Sequence, residues 1–377
     1  MARNRGVDRR WSSSAAAANK CMPTDRRPEP RSAGSRTTRR IPLDWDEDRN
    51  FRILAIDGGG IRGIFPAAVL AGLEERYLGG RSIAGYFDLI AGTSTGGIIA
   101  LGLAAGLTAA DLRQLYLERG NEIFPPYGPG LVGRIGRRLN AWRRFLRYSY
   151  DHEALARVLR EHLGDLKLGA ARARLCIPSF EGVHGEVYIF KTPHHPDYHK
   201  DLHEPMVKVA LATSAAPTYY RPLRDAGYTF VDGGVWANNP VMIALTEALT
   251  SFSVERAQLQ ILSIGCGDNP YSVTGGKIAR GGIWHWRDII NGAMRLQSQN
   301  ALGQACLLIG PERLIRIDLP KKIPKIELDN WRSAVAHLRA TAAAAVASAG
   351  DRIASMFLTE PAAPYVMLEN IPNRTIQ

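Results

Sequence analysis

A chain of 377 residues with 45% apolar and 22% charged content has the composition of a soluble globular protein, long enough for one large α/β domain or two smaller ones. The formal net charge is +12, but residues 1–40 contain 11 Arg or Lys against 3 acids. The other 337 residues therefore carry only +4, which excludes a basic domain and indicates a basic tail on a nearly neutral body.

Residues 1–45 form the predicted tail. They are rich in Arg, Ser, Ala and Pro and have almost no apolar periodicity, so we expect them to be disordered and to make no core. Their charge suits attraction to anionic lipid or nucleic acid, but we adopt the simpler interpretation of a solvated tail. The apolar stretch at residues 15–18 is too short for a secretory signal. We expect residues 46–377 to form a single domain.

From residue 52 onward, short apolar runs alternate with helical patterns. Residues 52–56 predict a strand, and the apolar residues of 65–77 recur every four positions, as in a helix. Residues 86–91 predict the next strand and residues 95–105 the next helix. Further strands are predicted at residues 175–180, 187–190, 228–231, 259–264 and 314–317, and further helices at residues 203–213, 241–251 and 284–308.

This alternation predicts an α/β fold with a mostly parallel central sheet flanked by helices on both faces. Residues 89–110 contain no charge, but their five glycines and polar start favour a strand, a turn and a buried helix over a membrane span. The four cysteines are far apart and lack metal or redox spacing, so we expect no disulfide and a reducing cytoplasm.

A glycine cluster follows the first predicted strand. Consecutive backbone N–H groups there would point at one position and stabilise an oxyanion, with donors from Gly58, Gly59 and Gly60. Arg62, just beyond the cluster, could hold a lipid phosphate or fix the loop. The cluster therefore predicts an oxyanion hole with Arg62 as a substrate-binding residue.

The same glycines define an alternative function. Residues 58–63 match the spacing of a dinucleotide-binding fingerprint, which would make the chain a dinucleotide-binding module. That fingerprint requires an acid at the end of the next strand, whereas Asp88 falls before the predicted strand ends. It also leaves the second glycine cluster unexplained.

The second cluster is Gly-Thr-Ser-Thr-Gly at residues 92–96, between a predicted strand and a glycine-rich helix. This is the context of a nucleophile elbow, in which glycines permit a sharp turn and the helix N-terminus faces developing negative charge. We therefore expect Ser94 to be a nucleophile.

The base for that serine is expected at the end of another strand. Asp232 follows residues 228–231, and an aspartate can serve directly when partial burial raises its basicity. The alternative is a Ser–Asp–His arrangement with His285 or His337 as the base. Both histidines lie in predicted helices rather than in strand-end loops, so we favour Asp232.

The chain resembles the patatin-like phospholipases in the order and spacing of three motifs. In this sequence they are Asp-Gly-Gly-Gly-Ile-Arg-Gly (residues 57–63), Gly-Thr-Ser-Thr-Gly (residues 92–96) and Asp-Gly-Gly (residues 232–234). Residues 212–219 and 238–240 also resemble that family. The resemblance covers residues 51–249 and leaves a helical part, residues 250–377, without a recognised hallmark. It implies a three-layer patatin-like fold and a Ser94–Asp232 dyad that cleaves phospholipid acyl esters without a metal or other cofactor.

Two further segments carry weaker signals. Residues 194–203 contain four His and two Asp, a composition that suits a metal, but prolines at 193 and 196 favour a solvated loop. Residues 131–147 combine six Arg with apolar residues at helical spacing, which predicts either an amphipathic helix on an anionic membrane or a helix packed on the core.

Within the family, the chain resembles the cyclic-nucleotide-activated effectors of bacterial antiphage defence. That resemblance implies an allosteric site for a cyclic dinucleotide, for which Trp284, Trp286 and Arg287 are candidates by stacking and charge. The expected partners are a membrane phospholipid substrate and a cyclic dinucleotide activator, with peripheral contact at the membrane surface. A homo-oligomer is a further possible assembly, and no nucleic-acid polymer is expected as a partner. We expect a cytoplasmic protein that lies at the inner membrane when active.

Overall fold

The computed structural model describes residues 28–31, 40–123, 150, 152–217, 219–267, 289–324, 326–365 and 367–368. Within this part of the chain, eight strands form one sheet. They are β1 (Phe51–Ile56), β2 (Leu89–Gly92), β3 (Leu175–Glu181), β4 (Glu186–Lys191), β5 (Leu223–Asp225), β6 (Tyr228–Asp232), β7 (Leu259–Ile264) and β8 (Leu314–Ile317).

The helices of the described part cover both faces of the sheet. They are α1 (Ile64–Tyr77), α2 (Thr95–Ala105), α3 (Ala109–Ile123), α4 (His152–Leu163), α5 (Met206–Thr213), α6 (Gly234–Ala237), α7 (Val241–Ser251), α8 (Ile289–Ile309) and α9 (Trp331–Phe357). The predicted helix over residues 203–213 begins later, at Met206, because Pro205 has an extended backbone and disfavours a helical conformation for the residue before it.

The sheet is mixed, with the order β5-β6-β3-β2-β1-β7-β8 and β4 on the other edge of β3. The five strands β3, β2, β1, β7 and β8 are parallel, as predicted for the centre of the sheet. Strands β4, β5 and β6 pair in antiparallel fashion. The apolar runs predict β4 and β6 as strands but not their direction, and they do not predict β5. Residues 250–377 contribute β7 and β8 to this same sheet.

Buried side chains divide the core into two layers on opposite faces of the sheet. Along β1, Leu54 and Ile56 join the larger cluster beneath α1, α2 and α9. Phe51, Ile53 and Ala55 face the other way and join the cluster beneath α7 and α8. Because successive strand residues point to opposite faces, both faces are covered and the fold has three layers, as expected.

No helix among the described residues is both long enough and apolar enough to cross a membrane.

Part of the N-terminal segment packs on the body, contrary to the expectation of disorder over residues 1–45. The Arg31 guanidinium lies 3.0 Å from Asp201 Oδ1 and 2.7 Å from Glu204 Oε1. It also lies over the rings of Tyr188 and Tyr228. Trp45 packs against Phe51 in the smaller core cluster. The prediction therefore needs correcting at residues 28–31 and 40–45, while the rest of the segment lies outside the described residues.

These contacts predict different outcomes for two truncations. A chain that begins at Pro28 should unfold at the same urea concentration as the full chain. A chain that begins at residue 32 leaves Asp201 and Glu204 without the Arg31 charge, and we expect it to lose about 3 kcal/mol of stability. Arg31→Ala in the full chain is the matched variant, and equal stability of both truncations would contradict the role of Arg31.

Candidate active site

Ser94 occupies the turn between β2 and α2. Its backbone has φ 54 and ψ −121, an unusual conformation for a residue other than glycine and one that commonly marks a functional site. Gly96 must lack a side chain, because a Cβ atom there would lie 2.2 Å from the carbonyl oxygen of Ile56. The strand–turn–helix context predicted for residues 92–96 is therefore present.

The direction of β6 explains how Asp232 reaches this turn. One edge of β3 pairs with β4 along its length, so β2 and β6 share the other edge, at residues 175–176 and 179–181 respectively. Strand β6 runs antiparallel to β3 and therefore ends, at Asp232, close to the carboxyl end of β2. Ser94 Oγ donates a hydrogen bond of 2.7 Å to Asp232 Oδ2.

Asp232 is buried and has two hydrogen-bond donors. Burial raises its pKa from 3.8 to about 6, although hydrogen bonds from Ser94 Oγ and the Gly234 amide partly offset this effect. A carboxylate with a pKa near the working pH can both accept a proton and release it again. Of the two alternative bases, His337 is exposed on α9 and His285 lies outside the described residues.

The pKa of Asp232 predicts the pH dependence of the reaction. We expect kcat/KM on a soluble ester to fall as the pH drops through about 6, because only the charged carboxylate can accept the Ser94 proton. Above that pH the profile should be level until other groups titrate. A pH–rate profile tests this expectation, and a midpoint near the ordinary aspartate value of about 3.9 would contradict it.

The glycine loop after β1 lies beside Ser94. The Gly58 amide donates to Asn238 O at 3.0 Å, so one of the three predicted oxyanion donors is already engaged. The amide of Ser94 is also engaged, since it donates to Thr213 Oγ1 at 3.0 Å. Among described residues, the Gly59 and Gly60 amides have no such partner. The predicted hole therefore reduces to these two donors.

Arg62 is buried next to this loop and lines the cavity beside Ser94. Its Nη1 donates to Gly267 O at 2.8 Å, and its Nε donates to Gly59 O at 3.3 Å. Of the two roles suggested for Arg62, these bonds favour fixing the loop. Contact with a lipid phosphate stays a prediction.

A cavity of about 370 Å³ opens beside the Ser94–Asp232 pair. One part of its wall is apolar or aromatic, formed by Ile98, Tyr116, Ile123, Leu155 and Tyr220. The volume lies in the range of small-molecule sites, about 300–1,000 Å³, and the lining suits an acyl chain. The arrangement can therefore hold a fatty-acyl ester with its carbonyl next to Ser94 Oγ.

The histidine-rich segment is only partly solvated: Asp197, His199 and His203 are exposed, as predicted, but the start of the segment is not. His194 and His195 are buried, and His194 Nε2 lies 3.2 Å from Glu247 Oε1. Candidate ligand atoms of Cys176, His194 and Glu247 lie within 4.8 Å of one another. Glu247 also forms an ion pair with Lys191, and an ammonium group in that position opposes a metal cation. The buried start of the segment is therefore best explained as a hydrogen-bonding network.

The sequence motifs do not assign Thr213 to this site; only the family resemblance of residues 212–219 includes it. Its hydroxyl accepts a hydrogen bond from the Ser94 amide and donates to Pro178 O at 2.6 Å. A buried threonine at the end of α5 gives no local signal of this role. Two predicted features, the helix at residues 131–147 and the cluster Trp284, Trp286 and Arg287, lie outside the described residues.

The chain is similar to one known protein family and to several known proteins. The model of the family "Patatin-like phospholipase" matches residues 54–245. A "cGAMP-activated phospholipase" of Pseudomonas aeruginosa (strain BWHPSA011 / Pa011) is 37% identical over 260 residues, which cover 68% of this chain and 75% of the relative.

A protein of the same name from Vibrio cholerae serotype O1 is 34% identical over 64% of this chain and 73% of the relative. "Patatin-like protein 2" of Oryza sativa subsp. indica is 36% identical over 62% and 65%. The family match includes residues 58–63, so the alternative of a dinucleotide-binding module is not supported. The chain belongs to the patatin-like phospholipase family.

Proposed function

We propose that this lipid acyl hydrolase cleaves membrane phospholipids with Ser94 as nucleophile and Asp232 as base, and that a cyclic nucleotide switches it on. The observation that carries the first part is the 2.7 Å hydrogen bond from Ser94 Oγ to Asp232 Oδ2 beside a largely apolar cavity. A hydroxyl becomes a useful nucleophile when a base accepts its proton, and here the base is already in contact.

The reaction proceeds in two halves. Ser94 Oγ attacks the ester carbonyl carbon while Asp232 takes its proton, and the Gly59 and Gly60 amides stabilise the negative oxygen that forms. Collapse of this intermediate breaks the ester bond, and the departing lysophospholipid alcohol takes the proton from Asp232. Water then attacks the acyl group on Ser94 with Asp232 again as base, which releases the fatty acid and restores the hydroxyl.

Activation by a cyclic nucleotide is supported by the relatives named "cGAMP-activated phospholipase". A phospholipase that is always active would damage its own cell, so control is expected. The nucleotide must bind the active conformation more tightly than the resting one, by about 1.4 kcal/mol for each tenfold increase in activity. We further propose that the protein is cytoplasmic and contacts the inner membrane peripherally during the reaction, in defence against phage.

This proposal is tested with vesicles of bacterial phospholipid and a panel of cyclic di- and trinucleotides. We expect one cyclic dinucleotide to raise fatty-acid release at least about tenfold, which corresponds to about 1.4 kcal/mol of preferential binding. The Ser94→Ala variant should bind the same nucleotide and release nothing. High basal activity that no nucleotide changes would be consistent with the proposed hydrolase activity but would refute activation by a cyclic nucleotide.

A further inference from the structure

Arg316, near the end of β8, is a partly buried cation directed toward the glycine loop, and 18% of its side chain is exposed. Its Nη1 and Nη2 donate to Asp57 Oδ1 and Oδ2 at 3.0 and 2.6 Å. Nη1 also donates to Ser263 Oγ at 2.7 Å, and Nη2 to Asp318 Oδ2 at 2.6 Å. The guanidinium therefore reaches across β7 from β8 to the residue that follows β1.

The position of Asp57 gives this ion pair its significance. Asp57 immediately precedes Gly58, and the two-bond geometry with Arg316 fixes both the position and the plane of its carboxylate. Arg316 thus holds the first residue of the loop that carries the proposed oxyanion donors. Its strand, β8, lies outside residues 54–245, which the family model matches.

The network continues to the other side of the loop. Asp318 Oδ1 accepts from the Gly267 amide at 2.8 Å, and Gly267 O accepts from Arg62 Nη1 at 2.8 Å. Arg62 in turn donates to Gly59 O. Arg316 and Asp318 therefore connect, through Gly267 and Arg62, to the peptide unit between Gly59 and Gly60, whose N–H is one of the two available donors.

The guanidinium of Arg316 keeps its charge in this network. Burial disfavours the charged guanidinium, but the carboxylates of Asp57 and Asp318 outweigh that cost and raise the pKa of Arg316 above its ordinary value. A buried ion pair adds little net stability compared with well-packed apolar residues, because desolvating two charges is costly. Its directional bonds are better suited to holding a backbone loop in one orientation.

We propose that Arg316 is a positioning residue for the oxyanion hole, acting through Asp57 on the loop that presents the Gly59 and Gly60 amides. Asp318 extends this role through Gly267. The inference rests on the proposed esterase function, since it assigns Arg316 a role in the orientation of transition-state donors. Such donors act on kcat far more than on substrate binding, because the negative oxygen exists only along the reaction path.

The experiment compares Arg316→Lys, Arg316→Gln, Asp57→Asn and the double variant Arg316→Gln/Asp57→Asn. For Arg316→Gln we expect kcat on a soluble ester to fall about tenfold to a hundredfold with KM within about twofold, as for a small misplacement of catalytic groups. Labelling of Ser94 by a fluorophosphonate should slow by a similar factor. Arg316→Lys should recover part of the loss, and the double variant should be no slower than the slower single variant.

Arg52 supplies a matched control. It is a buried arginine near the start of β1, the end of the strand opposite Asp57, and its Nη1 donates to Phe357 O at 3.0 Å. Arg52→Gln should lower stability and leave kcat per folded molecule unchanged. If Arg316→Gln behaves like Arg52→Gln, the positioning role is wrong and the pair is only structural.

Other outcomes are equally decisive. Should Arg316→Gln not fold, Asp57→Asn and Arg316→Lys carry the test, and unchanged kcat in both overturns the inference. Full activity in Ser94→Ala would instead refute the proposed function. An inactive Ser94→Ala beside fully active Arg316 and Asp57 variants refutes only the inference.

Discussion

Ser94→Ala is expected to leave no measurable ester hydrolysis, and Asp232→Asn to lower kcat by about 10²–10⁴, the usual contribution of a general base. The serine hydroxyl is the atom that attacks, and Asp232 Oδ2 is the group that accepts its proton at 2.7 Å. An asparagine there keeps a similar shape but accepts no proton at neutral pH. Initial rates on a soluble ester and on phospholipid vesicles measure both variants.

The same aspartate predicts a gain in stability when its charge is removed. Raising its pKa from 3.8 to about 6 means that the folded protein holds a proton that the unfolded chain releases between these pH values. The wild type therefore loses stability as the pH rises through this window, by about 3 kcal/mol at 1.36 kcal/mol per pKa unit. Asp232→Asn escapes this loss, so urea unfolding should find it more stable at pH 8 and equal at low pH.

Loss of activity together with a gain in stability separates catalysis from misfolding. An Asp232→Asn variant that retained near wild-type kcat would show that another group accepts the proton. The Ser–Asp–His arrangement with His285 would then have to be reconsidered. An Asp232→Asn variant that was inactive and less stable at every pH would instead indicate a structural role for the carboxylate.

Local patterns predicted the elements around Ser94 well. The apolar strand, the glycines of residues 92–96 and the small residues of α2 are contiguous, so steric demands within a few residues fix the turn. The match of β1 and β7 to apolar runs has the same origin, since both strands are buried at the centre of the sheet. The function could be predicted because the proposed nucleophile and oxyanion donors lie in short, glycine-rich turns of this kind.

Long-range pairings could not be predicted in the same way. An apolar run such as β6 does not reveal whether it pairs parallel or antiparallel, yet its antiparallel course is what brings Asp232 to Ser94. The engagement of the Gly58 amide by Asn238 O depends on a contact between residues 180 positions apart. Arg316 is a single charge in an apolar strand, and only the fold reveals its partner Asp57.

The burial of His194 and His195 cannot be predicted from the sequence for a related reason. Its composition is polar, and prolines correctly predicted an irregular loop. The partners that compensate for burial, Lys191 and Glu247, lie on β4 and α7. Composition reports the polarity of a segment but not the charges that the rest of the chain brings to it.

Gly59→Ala is expected to lower kcat by about 10²–10³, the loss typical for one oxyanion donor. The φ of Gly59 is 179, outside the left-handed range that favours glycine. The obstacle is steric, because a Cβ atom would lie 2.2 Å from Cys266 Cβ and 2.8 Å from its sulfur. The loop must move away from Cys266, which displaces the Gly59 and Gly60 amides from their positions beside Ser94.

The steric cause can be tested by removing the obstructing side chain. Cys266→Gly in the Gly59→Ala background deletes both atoms that the new methyl group would strike. We therefore expect kcat to rise at least about tenfold above that of Gly59→Ala, which is part of the loss expected for one oxyanion donor. Gly303→Ala is the matched control, since a Cβ there meets nothing within 4 Å and the α8 position favours alanine. Wild-type kcat in Gly59→Ala would show that this loop does not supply the oxyanion donors. A loss that Cys266→Gly does not relieve would mean that the methyl group blocks the carbonyl oxygen of the substrate directly.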